Sequence, residues 1–260
     1  MKRSFPSQDG PAPYEYPGGA DTEPSWCVLS RQQRRLSVDD LSERLLTSRA
    51  PSRPREFEAS SLVKPAAAII PVVDHLGEAA LVVTRRPGTM KFHRNDWVFP
   101  GGVIDPDLDQ DGEQAALREL HEELGVAPDR VSVLDQLGSY GPFVTGFGLQ
   151  VYVGRIAAGT EFVPDPDEVA DVAILPISRL SERRNFFLSS DMPAEYDPGP
   201  MASPDVLASR SPAFLLRHFV IVPGEFLWGT QGDIVHDLLD RLFARDGTSQ
   251  PTSAQQPGSD

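Results

Sequence analysis

Two β-rich apolar runs separated by four residues, AAAIIPVVD (Ala66–Asp74) and AALVVTRR (Ala79–Arg86), set the strongest constraint on what this chain can fold into. Their composition predicts strands, and the short HLGE connector predicts an antiparallel hairpin or neighbouring strands. Further strand signals follow in WVFPGG, read as a short strand ending in a Gly turn, and in VSVLDQLGSY, GLQVYVGRIA, VADVAILPI, AFLLRHFVIV and GEFLWG. EQAALRELHEEL (Glu113–Leu124) reads as a helix with Ala116, Leu117, Leu120 and Leu124 as its inner stripe and Gly125 as its stop. DIVHDLLDRLFARD reads as a closing helix. Strands and helices without strict βαβ alternation favour an α+β fold, or a sandwich with mixed sheets.

The chain divides by composition. Residues 1–36 read as a disordered acidic, Pro-rich extension. Residues 37–63 read as a short helix and linker, with Ser37 as the cap and Asp40 at the capping-box position. Residues 64–246 form the main domain, interrupted by a Pro/Ser/Asp-rich excursion over 186–212, and 247–260 read as a disordered tail. The 260 residues are enough for one sizeable core with room for tails. No run of 18 apolar residues exists, so no membrane span is expected. The N-terminus lacks the apolar core of a secretory signal. Cys27 is the single cysteine, which excludes an intrachain disulfide and fits a cytoplasmic protein. With no base beside it, Cys27 is not read as a nucleophile. A formal net charge of −14 argues against a nucleic-acid partner but leaves room for a small phosphorylated ligand.

The chemistry concentrates in RELHEELGV, Arg118–Val126. On a helix, Glu119, Glu122 and Glu123 share a face. Like charges so placed repel by about a few tenths of a kcal/mol per pair. Water, Arg118 or a bound cation can offset that repulsion. Upstream stands FPGGVIDP, Phe99–Pro106.

Together these segments resemble the Nudix box, G-x5-E-x7-R-E-U-x-E-E-x-G-U with U apolar. The matching residues are Gly102, Arg118, Glu119, Leu120, Glu122, Glu123, Gly125 and Val126. The resemblance implies a Nudix-type α/β/α sandwich with mixed sheets and a loop-helix-loop metal site. It also implies a hydrolase of nucleoside diphosphate derivatives that uses Mg²⁺ or Mn²⁺. The metal ligands so implied are Glu119, Glu122 and Glu123, with a main-chain carbonyl at Gly102. Arg118 completes the implied catalytic set by orienting a glutamate. Hard cations of this kind take carboxylate, phosphate and water oxygens, which suits the glutamates. The left half of the box departs from the pattern. Fifteen residues separate Gly102 from Arg118 where the pattern has thirteen. The first glutamate's place falls on Leu108 counted from the glycine and on Gln110 counted from the arginine, with Asp107, Asp109 and Asp111 nearby.

VVTRRPGTMKFHRNDWVFPGG (Val82–Gly102) is similar to the segment that precedes the box in coenzyme A pyrophosphatases, L-L-T-x-R-[SA]-x3-R-x3-G-x3-F-P-G-G. Thr84, Arg86, Phe99, Pro100, Gly101 and Gly102 fall in register; Pro87, Lys91 and Asn95 depart from it. Within this segment Arg85, Arg86, Lys91 and His93 are the substrate-binding candidates, with Arg94 beside them. Glu168 is the outside candidate for a general base, and Trp228 and Phe226 are candidates to line an adenine or pantetheine pocket. The expected substrate is coenzyme A or an acyl derivative. ADP-ribose, NADH and nucleoside triphosphates are the alternatives on the same chemistry, and a non-catalytic nucleotide sensor is the alternative of another class. The oligomeric state stays open, a homodimer included.

Overall fold

The computed structural model describes residues 24–48, 64–90, 93–140, 147–189 and 216–243. The first two strands, β1 (Lys64–Asp74) and β2 (Ala79–Arg85), form the hairpin, with Val72 opposite Leu81 and Asp74 opposite Ala79. Leu76 and Gly77 both take positive φ, 57° and 75°. Positive φ at both central positions is the turn type whose twist matches a two-residue hairpin. Gly77 N–H also donates to Asp74 Oδ1 at 3.1 Å.

β1 and β2 then diverge. The opposite edge of β1 runs parallel to β6 (Phe147–Ile156), which pairs antiparallel with β5 (Val131–Tyr140). The far edge of β2 pairs antiparallel with β7 (Asp171–Pro176). Into the wedge between β1 and β2 runs the segment 97–103. Its β3 (Trp97–Val98) pairs with Thr84 and Arg85 of β2, and its β4 (Gly101–Val103) pairs with Ala66–Ala68 of β1. The result is a seven-stranded mixed sheet that is split on one side.

Strand alternation sorts the core into two layers. Ala67, Ile69 and Val82 face helix α3 (Gly112–Leu124), where Ala115, Ala116, Leu120 and Leu124 are buried and Leu117 is partly buried. Ala68, Ile70, Val72, Leu81 and Val83 face the other way. There they meet a three-stranded sheet of β8 (Phe186–Ser189), β9 (Leu216–Val222) and β10 (Glu225–Trp228), and helix α5 (Thr230–Phe243). The α+β class and the sandwich with mixed sheets hold.

Several boundaries move. Residues 24–36, expected within the extension, belong to the fold. A one-turn helix α1 (Arg31–Arg34) starts at a Ser30–Gln33 capping box, and Trp26 is fully buried against Phe186 and Phe219, with centroids 5.2 and 5.9 Å away. Cys27 is likewise buried. Helix α2 (Val38–Thr47) has the expected Ser37–Asp40 box, yet its Leu41 and Leu45 join the same core. It is no separate appendage. Phe186–Ser189, expected to open the excursion, is instead strand β8, fixed by pairing with β9 and by the fully buried Phe186. Residues 190–215 and the polar tail lie outside the described residues. The remaining helix, α4 (Ile177–Leu180), follows β7 and takes a hydrogen bond from Ser178 N–H to the buried Glu78.

Candidate active site

The site lies where the split in the large sheet meets α3. Asp111 caps that helix through Gln114 N–H, and Gly125 at φ 68° ends it. The 163–169 segment is tied to the helix's C-terminal end. Val163 N–H bonds Leu124 O at 2.9 Å, and Asp165 N–H bonds Glu123 O at 3.0 Å.

Gly101 and Gly102, expected to form a turn, are residues of strand β4. Neither has positive φ, so their need for glycine is one of space. A Cβ on Gly101 would lie 2.7 Å from Ala68 Cα, and one on Gly102 would collide with the Glu119 carboxylate, 2.5 Å from its Cδ. The backbone of β4 thus presses directly onto the acidic end of α3.

Expected as a trio, the glutamates form a pair and an outlier. Glu123 is 4% exposed and sits in the wedge between the diverging strands. Its Oε1 accepts from Gly101 N–H and its Oε2 from Thr84 Oγ1, each at 3.2 Å. Glu119 lies under Gly102. Glu122 points outward, half exposed, and accepts from Arg118 Nη1 at 2.8 Å. Among the described residues no three His, Cys, Asp or Glu side chains stand at metal-ligating spacing.

Arg118 donates from its whole fork. It reaches Asp109 through Nε and Nη2 at 3.0 and 2.9 Å, Glu119 and Glu122 through Nη1, and Val103 O through Nη2. Asp109 is the residue that counting missed. It fills the place left vacant in the left half of the box, and it lies between the two positions that counting from either end reached. Leu108 is exposed; Asp109 is buried and braced by Asp105, whose N–H bonds Asp109 Oδ2 at 2.9 Å. An acid between the two counted positions was the available signal.

Burial dominates the electrostatics. Desolvation pushes the Glu123 carboxyl up to about 7, against the opposing pull of Gly101 N–H, Thr84 and Arg86, while Glu119 adds to the rise. Glu119 is also raised, first by burial, with Arg118 opposing and Glu122 and Glu168 reinforcing. Asp109 is lowered, chiefly by its hydrogen bonds from Arg118, and Arg118 is raised, chiefly by Asp109.

Glu168 is exposed, near enough to Glu119 to repel it. Arg86 directly follows β2 and its charge acts on Glu123; its Nε is buried without a hydrogen-bond partner. Arg85, one residue earlier, turns to the small sheet. It bonds Asn95 O at 3.3 Å and lies 3.8 Å from Glu225 on β10. His93 pairs with Asp96 at 3.1 Å, and Asp96 also accepts from Trp228 Nε1 at 3.4 Å. The structure therefore brings Arg86 and Glu168 to the glutamates and commits Arg85 to the small sheet. Lys91 lies outside the described residues.

The donor set fits a hard divalent cation. Two carboxylates held partly out of water, both raised first by burial, ionise more readily when a positive charge joins them. Such a cation would be held by Glu119 and Glu123, while Glu122 is turned outward onto Arg118.

The Nudix domain profile matches residues 63–192, half of the chain. The chain belongs to the Nudix family, whose hydrolases act on phosphoric anhydrides and use divalent metal ions. It is 31% identical over 183 residues to the Nudix hydrolase NudL of Pectobacterium atrosepticum, itself uncharacterised, covering 69% of this chain and 83% of that one. It is 29% identical over 151 residues to the peroxisomal coenzyme A diphosphatase NUDT7 of Mus musculus, covering 58% of this chain and 61% of that one, under two thirds of the relative's length. Among solved structures, an Ap4A hydrolase of C. elegans in a binary complex aligns with a TM-score of 0.37 at 17% identity, covering 44% of this chain and 80% of that one. No described helix is long and apolar enough to cross a membrane.

Proposed function

We propose that this Nudix hydrolase cleaves the pyrophosphate of coenzyme A or acyl-coenzyme A, giving phosphopantetheine and adenosine 3′,5′-bisphosphate. The observation that carries the reading is the sequence of Val82–Gly102, which is similar to the coenzyme A pyrophosphatase pattern, with its Thr84, Arg86, Gly101 and Gly102 set against the glutamates. One departure from that pattern is conformationally neutral. Asn95 stands where the pattern has glycine and takes φ 59°, a region that Asn tolerates better than most non-glycine residues. The likeness to the mouse coenzyme A diphosphatase supports the same substrate.

Glu119, Glu123 and Glu122, with the main chain at Gly102, would hold Mg²⁺ or Mn²⁺. A divalent ion so held neutralises the pyrophosphate and acidifies an attacking water. The chain's own contribution is to fix that geometry. Arg118, locked by Asp109, orients Glu119 and Glu122. Arg86 offers a guanidinium to a phosphate oxygen. Glu168, exposed and near enough to Glu119 to repel it, is the candidate to take a proton from water. In the reaction a water oxygen bonds to phosphorus, the bridging P–O bond breaks, and the bridging oxygen leaves on the second phosphate.

The test is product analysis with coenzyme A, acetyl-coenzyme A, ADP-ribose, NADH and deoxynucleoside triphosphates, with and without Mg²⁺, alongside a Glu122→Gln/Glu123→Gln variant. Metal-dependent release of adenosine 3′,5′-bisphosphate from coenzyme A, absent in the variant, is expected. Turnover confined to ADP-ribose or NADH would reject the substrate, and tight ligand binding without turnover would reject catalysis.

A further inference from the structure

Strand β2 is apolar from Ala79 to Val83 and then places Thr84, 1% exposed, on its α3 side in line with Val82. Packing there asks for a β-branched apolar side chain, and valine would fill the same volume. A buried hydroxyl costs free energy unless it is bonded. Thr84 Oγ1 lies 3.2 Å from Glu123 Oε2 and 3.5 Å from Val98 O. It has a single proton, and the carboxylate is both nearer and charged, so the bond to Glu123 prevails. On the other side of the wedge, Gly101 N–H holds Glu123 Oε1. One donor comes from β2 and one from β4, which pairs with β1, so the two arms of the split sheet grip one oxygen each. Donors on opposite oxygens fix the carboxylate plane.

We propose that Thr84 is a positioning residue whose hydroxyl sets the orientation of Glu123 toward a divalent cation. The inference rests on the reading of Glu123 as a metal ligand. Hydrogen-bond partners of a metal ligand typically account for about 10–100-fold in metal affinity.

The test is Mn²⁺ binding to the full chain, followed by electron paramagnetic resonance without substrate, with thermal unfolding in chelator as the control for folding. Wild type, Glu123→Gln, Thr84→Val, Thr84→Ala and Thr84→Ser are compared. Thr84→Val and Thr84→Ala are expected to weaken Mn²⁺ binding by about 10-fold or more, and Thr84→Ser to return it to within about threefold of wild type. Wild-type affinity in the valine or alanine variant overturns the proposal, as does a serine variant as weak as valine, because restoring the hydroxyl would then restore nothing. Binding indifferent to Glu123→Gln would instead overturn the ligand reading on which the proposal stands.

Discussion

Helices α3 and α5 lie on opposite faces of the large sheet and carry acids at similar helical spacing, yet they use them differently. In α5, Asp233, Asp237 and Asp240 each accept from a different element. Arg217 of β9 reaches the first, Tyr140 of β5 the second at 3.2 Å, and Trp26 of the N-terminal segment the third at 3.0 Å. These acids are brackets that tie three elements to one helix, and Asp237 and Asp240 keep 36% and 48% of their side-chain surface in water. In α3, Glu123 has two neutral donors and almost no water, and a single guanidinium is divided among Asp109, Glu119 and Glu122. Spacing alone therefore does not make a site. What marks α3 is burial that opposes ionisation, left for something outside the chain to balance.

Exchanging function for stability should separate the two helices most sharply. Glu123→Gln removes a buried carboxylate while keeping its shape. Hydrolysis is expected to fall by on the order of 100-fold or more, at least the upper end of what losing a mere partner of a metal ligand costs. The melting temperature in chelator should hold or rise. On the α5 side, Trp26→Ala should cost about 3–5 kcal/mol, because a fully buried indole leaves a cavity among Phe186, Phe219 and α5. Denaturant unfolding reads that loss, and the activity per folded molecule should be unchanged. If Trp26→Ala abolished turnover in protein that remained folded, the division of labour between the two faces would be wrong.

Much of this arrangement was written in local pattern. The hairpin, α3 with its glycine stop, the Ser37–Asp40 box and the acidic cluster all depend on residues within a few positions of one another. The misreadings share a physical cause. Pro24–Leu36 is polar and proline-bearing on average, and its two strongest anchors reach far along the chain: the buried Trp26 packs on Phe186 and Phe219 and donates to Asp240, and the buried Arg34 donates to Ser181 O. Gly101–Gly102 reads as a turn in sequence, but the need for glycine arises from β1 and Glu119, neither of them adjacent. Asp109 was hidden because the loop is two residues longer than the pattern, and a count from either end cannot say which acid will meet Arg118. The split of β1 from β2, on which Glu123 depends, is a property of strand register and has no local signature.

Smaller changes probe how each helix is held. Asp109→Asn leaves the Arg118 fork facing a neutral amide, and the lost charge-assisted bonds should cost about 2 kcal/mol. Because Arg118 would then drift from Glu119 and Glu122, turnover at saturating metal should fall as well, which a purely structural pair would not cause. Asp240→Asn keeps an acceptor for Trp26 Nε1 and should cost under about 1 kcal/mol with no change in turnover. Comparable effects of the two substitutions on turnover would erase the distinction drawn between the helices.

The finest test is pH. In metal-free protein, Glu123 titrates near 7 when folded and near the ordinary value of about 4.3 when unfolded. Between those values the folded state binds more protons, so stability falls as pH rises through that window and levels off above the folded value. A depressed carboxyl such as Asp109 has the opposite sign. Its contribution is present above its unfolded value and is lost as acid protonates it in the folded state, so it does not enter near neutrality. Lowering the pH from 8 to 7 in chelator should therefore stabilise the protein by roughly a few tenths of a kcal/mol through Glu123, and Glu123→Gln should remove that increment. Divalent metal reverses the demand, since a ligand must be ionised to bind, so Mn²⁺ affinity should climb over the same interval. A stability difference between pH 7 and 8 that survives in the glutamine variant would assign the proton to another group and loosen the link between burial of α3 and its use as a site.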